Sequence, residues 1–395
     1  MVRKHRVSRR RPYHGYIFDY RKERKIKMSK LTSPSITIAF TEQGASAVTR
    51  GERGIVALVL KGTRQQTFKV MNISDIPTGV LSAENEQFVK DALIGYSHAP
   101  KYVIVYVMPT AEDMTKAYKD MMQYFENERF TYMAIPTAKT DNKVQDIATW
   151  AKKQRSEHNL VKVVLPEVAA DSEGIINWSS TLYRTKEQAL TPEQGCARIA
   201  GLLAGTGLTV SGTYAPLNDF VDVSRLTKAE QNEAVGAGKL IALWDGEKVK
   251  LNRAVTSLAT TSADKGDSFK KIKLVETMDM MEDDIRKVIE DDYIGKFSNS
   301  YDNKCLLITA INAYFMGLVN DGLLDVGQCQ IDIEGQKQWL KAQGKKVILE
   351  DGSEKDIDDC NDAEIKRANT GSQVFLKAVV SLVDAIEDVS LKISV

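Results

Sequence analysis

A lysine following two glycines is where a phosphate-binding loop would show itself, and Gly236-Ala237-Gly238-Lys239-Leu240 has that outline. Such a loop wraps phosphate oxygens in glycine amides, neutralises them with lysine and holds magnesium with a following Ser or Thr. It also needs a glycine five residues before its last one. Glu233 stands there, and Leu240 stands where the hydroxyl belongs, so the motif fails twice. Gly205, Gly207 and Gly212 do not fit G-x-G-x-x-G, and no strand–turn–helix frame surrounds them. Glu282/Asp283/Asp284 and Glu290/Asp291/Asp292 are carboxylates that could ligate a metal if they converged. Arg286 and Lys287 lie between them on one amphipathic pattern, which reads as a solvated or interfacial charged face. Asp351, Asp356, Asp358 and Asp359 do not follow the calcium-loop pattern with its glycine at the sixth position. His5, His14, His98 and His158 belong to no metal or triad signature, and there is no Gly-x-Ser-x-Gly elbow. Cys196, Cys305, Cys329 and Cys360 form no Cys-x-x-Cys pair and have no histidine at zinc-finger spacing. They read as free thiols of a reducing cytoplasm. No catalytic residue, cofactor site or metal site is expected, and the chain reads as a structural protein rather than an enzyme.

The elements around these residues give an ordered pattern. Arg53–Lys61 and Tyr102–Val107 read as apolar strands, and Phe130–Ile135 and Val161–Leu165 as two more. Helices are expected from Ser82, with Phe88, Val89, Ala92 and Leu93 on its apolar face, over Thr110–Glu126, and over Asp141–His158. Thr110 and Asp113 stand at capping-box-like spacing. Strands alternating with helices predict an α/β layer with a largely parallel sheet. Beyond Pro166 the pattern loosens into α+β. Helices are expected over Pro192–Leu203, Phe269–Asp292, Asn303–Leu318 and Glu334–Gln343, and a hairpin over Leu240–Leu251 around Gly246. Lys345–Glu350 reads as a strand running into an Asp351-Gly352 turn. Strand-like runs cover Ser35–Phe40, Gln373–Val383 and Val389–Val395.

The chain has 395 residues, enough for two or three domains, with 43% hydrophobic and 27% charged residues. The longest apolar runs fall far short of the ~20 residues that span a bilayer. The net charge of +1 hides an asymmetry. Residues 1–27 carry eleven Lys/Arg against two Asp/Glu, while the remainder holds 43 basic and 51 acidic residues. A mildly acidic body is not built to neutralise phosphates, so no nucleic acid is required. The leader has two readings: a basic arm with Tyr13, Tyr16 and Tyr20 interleaved for stacking, or sequence upstream of a true start at Met28. The second is the expectation.

Residues Leu251–Phe315 contain the segments N-R-A-V-x-S-L-x-T, K-G-D-x-F-K-K-I-K-x-V-E, D-D-I-R and Y-x-G-K-x-x-N-S-Y-D-N-K. As a set they closely resemble the C-terminal domain of the tail sheath proteins of contractile phages, prophages and R-type bacteriocins of Gram-positive bacteria. The ending VDAIEDVSLKISV and the early SITIAF also resemble that family, and the similarity covers about Lys30 to Val395. The resemblance implies a multi-domain subunit with a central α/β layer and a C-terminal α+β core. It implies an N-terminal arm at 28–45, an outward-facing α/β domain at 46–245, a sheath core at 246–383 and a C-terminal arm at 384–395, while the basic leader at 1–27 lies outside the similarity. It further implies sixfold rings stacked helically around an inner tube, with baseplate and tail-terminator or collar proteins as partners. Contraction would then drive the tube through a target envelope without consuming a nucleotide. Assembly would take place in the bacterial cytoplasm, before release as a phage or bacteriocin particle. The alternative is a nucleotide-dependent α/β enzyme of the cytoplasm using the 100–165 layer.

The residues give this reading a physical means. A lone terminal strand cannot satisfy its own N–H and C=O groups and must pair with an edge. Ser35, Ile36, Thr37, Ile38, Ala39 and Phe40 at one end, and Val389, Ser390, Leu391, Lys392, Ile393, Ser394 and Val395 at the other, are the candidate strands. Val389, Leu391, Ile393 and Val395 alternate with Ser390, Lys392 and Ser394, which puts four apolar side chains on one face. They pair either within the subunit or, by strand addition, with a neighbour. Asp384–Asp388 is expected to be the linker that flexes. A short helix over Asn361–Thr370 carries Lys366 and Arg367, which the resemblance makes a possible contact to the tube.

Overall fold

Strand β1, Ile55–Gly62, is buried over its first six residues. Its side chains alternate between two cores: Val56, Leu58 and Leu60 enter one, Ile55, Ala57 and Val59 the other. A strand covered on both faces has no polar side to show, which explains the unbroken apolar run. Strand β2 (Gln66–Val70), which the sequence did not announce, follows. Helix α1 (Ala83–Ile94) is capped by Ser82, whose hydroxyl accepts from the Asn85 amide at 3.2 Å. It buries Phe88, Val89, Ala92 and Leu93, the face read from the sequence. Then come β3 (Tyr102–Pro109), α2 (Thr115–Phe125), β4 (Tyr132–Ala134), α3 (Val144–Ser156), β5 (Lys162–Pro166) and β6 (Ile175–Trp178). The expected start of α2 at Thr110 is corrected. The Thr110 amide extends the β1–β3 ladder by donating to the Gly62 carbonyl at 2.9 Å, so it is not free to be wound. Asp113 caps locally instead, accepting from the Thr115 amide at 2.8 Å.

Short strands β7 (Leu182–Tyr183), β8 (Ala189–Leu190) and β9 (Asp222–Val223) form a small sheet around helix α4 (Pro192–Ala204). Helix α5 (Lys228–Gly236) leads into β10 (Lys239–Leu240), which joins the main sheet beside β6. That sheet has the order β10-β6-β5-β4-β1-β3-β2, parallel except for β2. Helices α1 and α4 cover one face, and α2 and α3 the other. The lysine after two glycines thus opens a strand that follows a helix, the reverse order of a phosphate loop. Gly238 is there for its backbone: φ is +71°, and a Cβ would lie 2.7 Å from the Ser257 carbonyl oxygen.

The expected hairpin forms from β11 (Ala242–Trp244) and β12 (Val249–Leu251). Helix α6 (Ile272–Val288) follows and ends in a π-helical turn, Ile289–Tyr293. Helix α7 (Tyr301–Asn320) runs into β13 (Leu324–Ile331), a strand not expected from the sequence. A small lobe holds α8 (Ile333–Ala342), the hairpin β14 (Val347–Ile348) and β15 (Glu354–Lys355), and α9 (Asp362–Arg367). Strand β16 (Leu376–Leu382) returns antiparallel to β13. The second half is α+β, as read from the sequence. The computed structural model describes residues 53–263 and 265–394, so the leader 1–27, the run Ser35–Phe40 and Val395 lie outside the described residues.

Candidate assembly surfaces

The chain order of the main sheet reverses at β1, because α1 carries the chain to one side of it and α2 to the other. A doubly wound sheet binds ligands at such a point, outside the carboxyl ends of its strands. A crevice of about 290 Å³ lies there, lined by Lys61, Asn85, Thr137, Thr140 and Glu193 among others. Its donors are already engaged. The amides of Lys139 and Thr140 both donate to Glu193 Oε2 at 3.0 Å, and the Thr140 hydroxyl donates to Oε1 at 2.5 Å. Lys61 Nζ is held by Asp141 at 2.8 Å, and Tyr118 and Thr137 donate to the same carboxylate. Protein carboxylates occupy the place where a nucleotide's phosphates would need amides and a cation. Among the described residues no group of three or more His, Cys, Asp or Glu is arranged to hold a metal ion. Cys196, Cys329 and Cys360 are buried and Cys305 is half-buried, all as free thiols. Burial pushes the Cys196 thiol well up, which makes it inert. No helix among the described residues is long and apolar enough to cross a membrane.

The acidic face of α6 docks on the amino ends of β4 and β5. Lys162, fully buried at the start of β5, contacts Asp279 at 2.7 Å and Glu276 at 3.2 Å. Arg155 on α3 grips the same Asp279 with two nitrogens, at 2.8 and 2.9 Å. Arg53 reaches Glu276 at 3.6 Å, and Lys265 reaches Glu173 at 2.7 Å. Burial works to raise the Asp279 carboxyl, but Lys162 and Arg155 overcome it and hold it below the usual carboxylate range. Toward the exposed end Arg129 meets Asp283 at 3.2 Å and His158 meets Glu282 at 2.6 Å. Glu282 and Asp283 therefore belong to an interface, while Asp284 accepts from the Tyr314 hydroxyl at 2.8 Å. This seam joins the α/β layer to the C-terminal core.

Strands β13 and β16 make a two-stranded ribbon. Helix α7 covers one face, where Leu324, Cys329 and Ile331 meet Leu376, Val380 and Leu382. The other face shows Val326 and Val379 to solvent. Each strand has one edge paired and one open within the described residues. After Leu382 the chain does not run free. Lys273 Nζ donates to the Val383 carbonyl, and Lys271 pairs with Asp384. Lys271 also meets Glu387 at 3.0 Å, whose other oxygen accepts from Thr213 at 2.5 Å and Ser211 at 3.3 Å. Arg253 holds Asp388 at 2.6 and 2.7 Å. The segment Asp384–Asp388, expected to be a linker that flexes, lies against the core here, its three acids shared between Lys271 and Arg253 while Lys273 holds the Val383 carbonyl. Val389–Ser394 makes no β-ladder with any described residue, and Val389, Leu391 and Ile393 are 77–80% exposed. In the small lobe Asn361 and Glu364 form a reciprocal cap for α9. Lys366 is half-buried there. Arg367 stacks over Tyr301 at 4.8 Å and reaches Glu350 at 3.1 Å.

Residues 109–257 match the phage tail sheath protein central domain, and residues 264–395 match the phage tail sheath C-terminal domain. The tail sheath protein of Clostridium phage phiCD119 is 35% identical over 91% of this chain and 98% of its own length. The chain belongs to the phage tail sheath family. Two solved structures carry the same fold at lower identity. The sheath tail protein of Desulfitobacterium hafniense has a TM-score of 0.63 at 18% identity, over 75% of this chain and 94% of its own. The anti-feeding prophage helical sheath in its contracted state has a TM-score of 0.61 at 16% identity, over 91% and 99%.

The sheath segments quoted from the sequence acquire physical content here. Arg253 of N-R-A-V and Lys271 and Lys273 of K-G-D-x-F-K-K-I-K are the residues that bind the root of the C-terminal segment. Sequence reading did not single them out. The only available signal was three basic residues in an acidic body, to be matched with three acids more than a hundred positions away. The Lys162–Asp279 seam left a fainter one, a lysine opening an otherwise apolar strand.

Proposed function

We propose that this sheath protein polymerises as six-membered rings stacked helically around an inner tube, and that the stack contracts to drive the tube through a cell envelope. The observation that carries the reading is the terminal segment Val389–Ser394. It alternates apolar and polar residues, is exposed, and makes no ladder among the described residues. The ribbon of Leu324–Ile331 and Leu376–Leu382 has open edges among the described residues. A strand that adds to the ribbon of a neighbouring subunit gains backbone hydrogen bonds, each contributing about 0.5–1.5 kcal/mol net. Covering Val389, Leu391 and Ile393 contributes about 1.5–3 kcal/mol apiece. Ser35–Phe40 serves as the N-terminal counterpart. The 46–245 layer faces outward, and baseplate and terminator or collar proteins close the two ends. Assembly takes place in the bacterial cytoplasm and needs no cofactor or nucleic acid.

The work of contraction is stored in packing, and no chemical step is required of the subunit. The crevice at the sheet's reversal point, whose amides are taken by Glu193 and whose lysine is taken by Asp141, supports this over a nucleotide-dependent enzyme. Deleting Val389–Val395 is expected to leave a folded subunit with an unchanged melting temperature that forms no cylinders in negative stain. Normal cylinders from that truncation would sink the proposal. Lys366 and Arg367 are proposed to meet acidic groups of the tube through weak, screened contacts that let the sheath slide. Tube attachment unchanged in the Lys366→Glu/Arg367→Glu variant would remove them from that role.

A further inference from the structure

Along Asp384–Asp388 the usual partition of side chains is inverted. Ile386 is 90% exposed, while the Glu387 side chain is only 5% exposed. Water favours the opposite arrangement by several kcal/mol, since burying an isoleucine is favourable and burying an unpaired carboxylate is costly. The segment is therefore laid down by specific contacts and not by apolar collapse. Those contacts come from three separate places on the core: the loop at Ser211–Thr213, Arg253 after β12, and Lys271 with Lys273 at the start of α6. The cradle also holds itself together. The Ser211 hydroxyl bonds Thr213 at 3.0 Å, and Thr213 Oγ1 accepts from the Ala254 amide at 3.0 Å. Its donors are thus fixed before the acids arrive, which lowers the entropy cost of the contact. Charge is matched around it, with Asp384, Glu387 and Asp388 against Arg253, Lys271 and Lys273. Asp388 lies below the usual carboxylate range because of Arg253, and Arg253 is correspondingly raised.

We propose that Asp384–Asp388 is an electrostatic strap that pins the root of the C-terminal arm to the subunit core, so that the arm pivots at Asp388–Val389 and not at the end of β16. The consequence is one of reach. An extended chain covers at most about 3.5 Å per residue, so the seven residues beyond Asp388 span about 25 Å. Freed at Val383, the twelve residues beyond it would span about 42 Å. The strap thereby limits which edges the arm can reach, and it passes any pull on the arm into the first turn of α6.

The strap is tested on the full-length, unassembled chain, so its failure is separate from any failure of the sheath reading. A glutamyl endopeptidase must open the strap to cut after Glu387, whereas trypsin can cut after the exposed Lys392 without opening it. Replacing Arg253→Gln and Lys271→Gln together is expected to speed the first cut roughly tenfold and leave the second unchanged. A tenfold change corresponds to about 1.4 kcal/mol. Raising salt on the unaltered chain is expected to act in the same direction, because ion pairs with exposed partners are screened. That measurement does not depend on the variant folding. Cleavage after Glu387 that responds neither to salt nor to the paired substitution in a folded chain would overturn the proposal.

Discussion

Asp279 carries more of the seam between the two halves than any neighbour, because two buried cations share it. Replacing it by alanine removes the partner that Arg155 and Lys162 share, leaving Lys162 with Glu276 at 3.2 Å and Arg155 with Glu173 at 3.5 Å. Removing one member of a buried ionic group costs about 3–5 kcal/mol. Chemical denaturation of Asp279→Ala is expected to show a loss in that range, and a loss below about 1 kcal/mol would mean that the seam is not a closed network. The pH dependence follows from the same carboxyl. Its value is lowered in the folded state, so its contribution is fully present above the unfolded value, about 3.9. It is lost as pH falls through the lower, folded value. The melting temperature should therefore hold from pH 8 to about 5 and fall below about 4, and Asp279→Asn should flatten that acid limb. Stability already lost between pH 7 and 5 would contradict this assignment to Asp279.

Among the elements, helices α1 and α4 pack closely enough to exclude a methyl group. A Cβ on Gly201 would lie 2.6 Å from the Ala92 carbonyl carbon, and backbone cannot move aside as a side chain can. Gly201→Ala is expected to cost about 1–3 kcal/mol or more, read from thermal unfolding. That glycine illustrates the limits of sequence reading, since nothing local distinguishes a glycine under a neighbouring backbone from one in open solvent. The α/β layer was legible because β1, β3 and β5 are buried on both faces and α1 carries a clean apolar stripe. Strand β13 was not. Its alternation is interrupted by Gly327, and its register against β16 shifts between Leu324 and Val326, which breaks the period of two. The start of α2 was misread because capping-type residues at Thr110 and Asp113 serve the end of the β1–β3 ladder and a local turn. The arm's alternation was visible, but the cradle for its root was not, because charge complementarity across a hundred residues leaves no local pattern.

At the scale of the whole molecule the two halves have different tasks. The α/β layer and the C-terminal core are fastened by a buried ionic seam whose geometry tolerates little sliding. The terminal arm, in contrast, exposes apolar side chains that the described residues do not cover. In the proposed assembly such a subunit moves as a body and stays joined to its neighbours through this arm. The most direct test is a cryo-electron microscopy reconstruction of the assembled polymer, traced through Val389–Val395. The account predicts that this segment lies as an added strand on the Leu324–Ile331/Leu376–Leu382 ribbon of an adjacent subunit, with Asp384–Asp388 still on its own cradle. A polymer in which Val389–Val395 folds back on its own ribbon, or touches no neighbour, would contradict it.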